Sequence, residues 1–219
     1  MGAQLSISSL RLTSLTPRIM EQMVQGGMRS IALAPEAGSE CLRRSINKCI
    51  SEARFLDAVR LAAEKGMQQL KLYFMIGLPQ ETGEDIQAIV DLTLAGKAII
   101  EDRRGRTRLI LNLSQFVPKA GTVFQRQPMA DLAVLRERLG FLKSKLAHKG
   151  IQIKSESPQW SEVQAVLSRG DADLAQVLVD IEKGSLQEWR NAAEKHGLDI
   201  DHYAHRTWGD EAALPWERT

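Results

Sequence analysis

The chain has 219 residues, 43% of them hydrophobic and 26% charged, which is enough for one sizeable core and a small appendage. Twenty-nine Lys and Arg stand against 27 Asp and Glu, so no general field draws in nucleic acid or an anionic membrane. The apolar run 88–100 is broken by Asp91 and Lys97, too early for a spanning helix. The start shows no signal-peptide pattern, and the cytoplasm is the default expectation.

In chain order, a strand-like run over 5–12 carries Arg11 near its end. Ser14 or Thr16 then caps a helix opened by Pro17, with Ile19, Met20, Met23 and Val24 as its apolar stripe, and Gly26 and Gly27 end it. The run 30–34 is nearly all apolar and reads as a parallel strand buried on both faces. It stops at Pro35, Glu36, Gly38 and Ser39. A short amphipathic helix over 40–47 carries Arg43 and Arg44. A second starts at the Ser51 cap, with Phe55, Leu56, Val59 and Leu61 facing inward and Gly66 as its stop. The strand 69–76 runs into Gly77, Leu78 and Pro79, and Thr82-x-x-Asp85 makes a capping box for a helix with the stripe Ile86, Ile89 and Val90. A charged turn over 101–108 leads to a strand over 109–113, which ends in Ser114, Gln115, Phe116, Val117, Pro118 and Lys119. A long helix over 130–149 closes this region. Strands alternating with helices at this spacing indicate parallel βαβ units.

After Gly150 the texture changes to one short strand over 151–154 and helices over 160–167, 171–182 and 189–196, the last with a Ser185-x-x-Glu188 capping box. The expected division is therefore a βα domain over 1–150 and a mainly helical extension over 151–219. The end of the chain, rich in Trp and His, reads as cut short.

Chemistry in such units sits at the carboxyl ends of the strands, where turns expose side chains and backbone N–H groups. Glu36 either accepts hydrogen bonds from a ligand's hydroxyls or is an ordinary polar strand exit. Gly77 either lets backbone lie against a flat ring or serves tight strand–helix packing. Glu81 suits a helix start, and Arg11 either binds an anion or is solvated. Met20, Met23, Met67 and Met75 read as core filler. His202 and His205 form an H-x-x-H without further ligands and read as surface histidines, as do His148 and His196. Two cysteines, Cys41 and Cys49, are expected as reduced thiols, and their spacing fits neither zinc nor an iron–sulfur loop.

The ordered set SLRL, GGMRSIALAPEAGSECLRRSINK, LKLYFMIGLPQETGEDI and SQFVPKAGTVF resembles the later part of a radical S-adenosylmethionine (radical SAM) domain, of the B12-binding and Elp3-like kind. Residues 153–178 resemble the C-terminal region of an uncharacterised subfamily. The resemblance implies an α/β fold, strands three to six of a partial (β/α)6 TIM-like barrel, followed by the helical region. It implies S-adenosyl-L-methionine as cofactor, with Glu36 and Ser39 toward its ribose or methionine end. Met75 and Gly77 would lie beside the adenine in a degenerate GxIxGxxE motif that has Tyr73 at its first position and its acidic residue displaced to Glu81. Phe116, Val117 and Pro118 would line the cofactor side, with Lys119 toward substrate and Arg11 at the end of the third strand. The family's CxxxCxxC loop, which holds a 4Fe-4S cluster, is absent here.

That departure implies a C-terminal fragment of a radical SAM oxidoreductase, inactive by itself. Its missing N-terminal half would be supplied in cis or in trans, its substrate is unknown, and a cobalamin domain in the full-length protein stays open. Two other readings stand beside it: a non-catalytic half-barrel remnant serving as an interaction module, and a metal-free TIM-like acid–base enzyme using Glu36 and Glu81.

Overall fold

The computed structural model describes residues 12–102 and 107–217. The strand expected over 5–12 therefore lies outside the described residues apart from Leu12, as does Arg11. The elements are α1 (Pro17–Gln25), β1 (Ser30–Glu36), α2 (Glu40–Ser45), α3 (Glu52–Glu64), β2 (Gln69–Ile76), α4 (Gly83–Asp102), β3 (Arg108–Gln115), α5 (Leu132–Leu146), β4 (Gln152–Ser155), α6 (Pro158–Arg169), α7 (Leu174–Val179), α8 (Leu186–Lys195) and α9 (Ile200–Ala204). They form an α/β fold with one sheet in the order β1-β2-β3-β4, the outer pairs β1/β2 and β3/β4 each parallel.

The chain divides into two compact units interleaved in sequence, one of 1–76, 80–114 and 138–155, the other of 77–79, 115–137 and 156–219. The second unit thus takes in the segment after β3 as well as the C-terminal helices, and β4 goes with the sheet.

In the first unit, local signals hold the elements in place. Thr16 caps α1 by accepting from the Ile19 N–H, and Ser51 caps α3 by accepting from Arg54. Met20 and Met23 are buried on α1, whereas Ile19 is exposed, one position off the buried stripe. On α3 the buried positions are Phe55, Ala58, Val59 and Ala62. The small alanines take the place expected for Leu56 and Leu61, which lie half-buried on its flanks. Gly96 of α4 packs against Val59 and Phe55, where an added Cβ would still sit at an ordinary 3.7 Å. Leu70, Leu72, Phe74 and Ile76 on β2 join Ile31 and Leu33 on β1, and Leu111 and Leu113 on β3, in the core.

β1 is not buried on both faces. Its burial alternates, as does that of β2, so one face of the sheet is closed and the other only partly covered. The apolar run misled because Ala32 and Ala34, which occupy the more open face, are compatible with either environment.

In the second unit, α6 packs on α9 and on α8, and α7 on α8. The Ser185/Glu188 capping box forms as expected at the start of α8. The fully buried Arg169 organises this unit. Its guanidinium donates to the carbonyls of Tyr203, Ala204 (2.8 Å), Gln125 (3.2 Å) and Gln127 (2.7 Å). Burial lowers its pKa to about 10, which leaves it charged at neutral pH. The tail is folded in: Leu214 is fully buried, and the Trp216 indole donates to Gln125. Among the described residues no helix is long and apolar enough to cross a membrane.

Candidate functional site

The first unit builds one unusual strand exit. Pro35 has no N–H to give the ladder, and the β1/β2 register shifts between Leu33 and Glu36. The chain then turns through Glu36 with φ of 70°, a left-handed conformation that costs a non-glycine residue about 1–2 kcal/mol and persists only where the surroundings impose it. Three fastenings do so. The buried Arg43 donates to the carbonyls of Ala37 (3.0 Å), Gly38 (2.6 Å) and Ile50 (2.8 Å). Gly38 lies so close to α4 that a Cβ would stand 2.1 Å from the Asp85 carbonyl oxygen and 2.6 Å from the Ile89 nitrogen. Ser39 caps α2 by accepting from Leu42 (3.1 Å) and gives its hydroxyl proton to the Asp85 carboxylate.

Asp85 also accepts from the Thr82 N–H (2.8 Å) and hydroxyl (2.8 Å), so one carboxylate joins the α4 capping box to the α2 cap. Burial pushes the Asp85 carboxyl up. The hydrogen bonds from Ser39 and Thr82, with the charge of Arg138, outweigh that and hold it below its ordinary value. Desolvation lowers the Arg43 pKa against the opposing pull of Glu40 and Glu52. Sequence reading placed Arg43 on an amphipathic helix and missed this role, for which only its place within α2 after a Gly-Ser turn was a signal.

The Glu36 carboxylate, 22% exposed, meets Lys48 Nζ at 3.1 Å. Met75 is half-buried on the more open face of β2. Glu81 has a side chain 1% exposed that binds Arg138 Nη1 at 2.5 Å, while Arg138 Nη2 donates to the Glu81 carbonyl at 3.0 Å. Its burial in an ion pair suits holding structure rather than exchanging protons.

The remaining candidates belong to the second unit. Gly77 has φ of 81°, a conformation that favours glycine, and a Cβ there would have to push the tip of Leu135 aside (2.7 Å) and crowd Ala130 (3.2 Å). Phe116 is buried and meets Phe124 edge-on at 5.7 Å, Pro118 is buried, and Val117 is half-buried. Lys119 is exposed. A cavity of about 440 Å³ is lined by Asp173, Gln176, His196, Asp199, His202 and Tyr203, among others. Cys41 and Cys49 are free and exposed, and among the described residues no group of three or more His, Cys, Asp or Glu is placed to hold a metal ion.

His205 is not a surface histidine. Its ring, 13% exposed, bridges the Met129 carbonyl (Nδ1, 3.0 Å) and the Glu162 carboxylate (Nε2, 3.1 Å), with Asp131 3.9 Å away. The hydrogen bond to Glu162, opposed by burial and helped by the Met129 carbonyl, raises its pKa. A raised folded value means that its stabilisation is complete below the unfolded value of about 6.5 and is lost as pH rises through the folded one. The urea midpoint of the chain should fall more between pH 6 and pH 9 than that of His205→Gln, and equal falls would exclude the linkage.

Residues 3–93 match the radical SAM superfamily model. The matched segment includes Glu36, Ser39, Met75 and Gly77 and stops short of Phe116. The superfamily is associated with S-adenosylmethionine and a 4Fe-4S cluster. An uncharacterized protein of Methanocaldococcus jannaschii is 33% identical over 178 residues, 81% of this chain and 38% of that protein. An uncharacterized methyltransferase of Pyrococcus horikoshii is 29% identical over 83 residues, 38% of this chain and 18% of that protein. The matched segments cover about two-fifths of the first relative's length and less than a fifth of the second's.

Proposed function

We propose that the chain is the S-adenosylmethionine-binding part of a radical SAM enzyme and that Glu36 is its principal cofactor contact. The observation that carries this reading is the Glu36 turn. A carboxylate-bearing residue in a left-handed backbone conformation ends a strand, its turn fixed by Arg43, Gly38 and the Ser39–Asp85 bond, inside the segment that matches the superfamily. Backbone strain held by several independent contacts is characteristic of ligand sites. Glu36 would accept from the ribose hydroxyls. Ser39, whose proton is committed to Asp85, would offer only a remaining lone pair, and Met75 would lie against an apolar surface of the cofactor. When bound to a reducing cluster, S-adenosylmethionine supplies a 5′-deoxyadenosyl radical. This chain's residues would bind and orient it.

The residues present do not fit the cluster itself. The chain has two cysteines, eight positions apart and both exposed, where a loop of three closely spaced cysteines is needed. The cluster ligands are proposed to come from a preceding half of the protein, in cis or in trans, with cobalamin in the full-length protein left to experiment. The acid–base alternative is less favoured because Glu81 is engaged by Arg138. The interaction-module alternative predicts no affinity for the cofactor.

Equilibrium dialysis of labelled S-adenosylmethionine against the 219-residue chain separates these readings. Loss of a charged hydrogen bond costs about 1.5–3 kcal/mol, so Glu36→Ala should weaken binding by about 10- to 100-fold. Absence of binding to the folded chain, or equal binding by the variant, would overturn the proposal.

A further inference from the structure

The partly covered face of the sheet carries a pattern that the cofactor reading does not use. Residues paired across a ladder share a face, and Ala32 pairs with Lys71 while Asn112 pairs with Lys154. The Arg108 N–H donates to the Gln68 carbonyl, the same bond that, from Gln69 to Arg29, heads the Ser30–Gln69 pairing. Carried up the two strands, it sets Asn112 beside Tyr73, and the Asn112 amide indeed reaches the Leu72 carbonyl at 3.5 Å. Tyr73, Asn112 and Lys154 thus form one row across β2, β3 and β4, with Lys71 and Ala32 two residues nearer the strand starts.

This face mixes polar Lys71, Tyr73, Asn112 and Lys154 with Ala32, Ala34, Met75 and the buried Ile110, where parallel sheets are ordinarily closed by apolar packing throughout. Tyr73 is 41% exposed in the middle of β2, whereas its neighbours Leu72 and Phe74 are buried. Lys71 is half-exposed and Lys154 exposed, and neither has an ion-pair partner among the described residues. The small side chains of Ala32 and Ala34 leave room beside them. Strand spacing and rise put the Lys71 and Lys154 backbones roughly 12 Å apart, close enough for two long side chains to reach opposite ends of one small molecule.

We infer that this open face binds an anionic ligand, a carboxylate- or phosphate-bearing small molecule, with Lys71 and Lys154 providing charge and Tyr73 and Asn112 providing hydrogen bonds. Taking that ligand to be the substrate rests on the S-adenosylmethionine reading above. An apolar protein segment is a poor occupant, since it would bury two unpaired ammonium groups.

The test is calorimetric titration of the 219-residue chain with pyrophosphate and with citrate, each at fixed ionic strength, alongside dialysis of S-adenosylmethionine. At least one anion should bind, and which one identifies the phosphate or carboxylate source. Lys71→Gln and Lys154→Gln should each weaken it by about tenfold, Lys71→Arg should largely retain it, and Lys143→Gln/Lys145→Gln on α5 should not change it. Binding of neither anion, or binding that survives both Gln substitutions together, would overturn the inference. Failure of the cofactor reading shows separately, as cofactor dialysis unaffected by Glu36→Ala while the lysine variants still lose the anion.

Discussion

Alanine at position 38 should be the most damaging single-methyl change in the first unit. Overpacking a core methyl usually costs about 1–3 kcal/mol, because side chains can shift. Here the new carbon would meet backbone rather than flexible side chains, at 2.1 Å from the Asp85 carbonyl oxygen and 2.6 Å from the Ile89 nitrogen. Only separation of the turn from α4 relieves that, and separation breaks the Ser39–Asp85 bond that joins the two helix caps. The expected loss is about 3 kcal/mol or more, with the Glu36 turn released and cofactor binding abolished. Gly83→Ala is the control, since nothing lies within 4 Å of its Cβ position at the start of α4. Urea unfolding should separate the two variants widely. Similar midpoints would show that the turn does not depend on its approach to α4.

Arg169→Met should be comparably severe in the second unit. The methionine fills much of the arginine's space but supplies no donors. Carbonyls of Tyr203, Gln125 and Gln127 then lose their side-chain partner in a buried setting, while that of Ala204 keeps the Met129 N–H. An unsatisfied buried acceptor costs about 1–3 kcal/mol, so even partial rehydration leaves an expected loss of about 4 kcal/mol. Arg169→Lys keeps the charge but cannot span these carbonyls as a planar fork does, and should fall between. The measurement is urea unfolding followed by tryptophan fluorescence, which reports here because Trp189 and Trp208 are buried in this unit. A loss below about 1 kcal/mol for Arg169→Met would mean that water replaces the guanidinium at little cost.

These two effects differ in how far they could be anticipated. The Gly-Ser turn after a buried run, the Thr82-x-x-Asp85 box and the Ser185-x-x-Glu188 box are local signals, and caps formed at each. Their reach was not local. That Asp85 also accepts a hydrogen bond from the Ser39 hydroxyl depends on residues 46 positions apart being brought together. Arg169 falls just past the helix expected over 160–167, and nothing around it in the sequence singles it out. Its burial against carbonyls 34 to 44 positions away has no trace in its neighbours. His205 likewise looked solvated because Glu162 is 43 positions distant.

By itself, the sequence determined the alternation of strands and helices, the strand β2 to the residue, most helix starts and the run of motifs that matches the radical SAM superfamily, because periodicity, caps and breakers act within a few residues. Tertiary structure alone decided that the sheet keeps one face partly open, that Glu36 turns in a left-handed conformation, and that two buried arginines replace apolar filler. Each of these follows from which distant groups a side chain meets after folding, and desolvation makes such meetings energetically large.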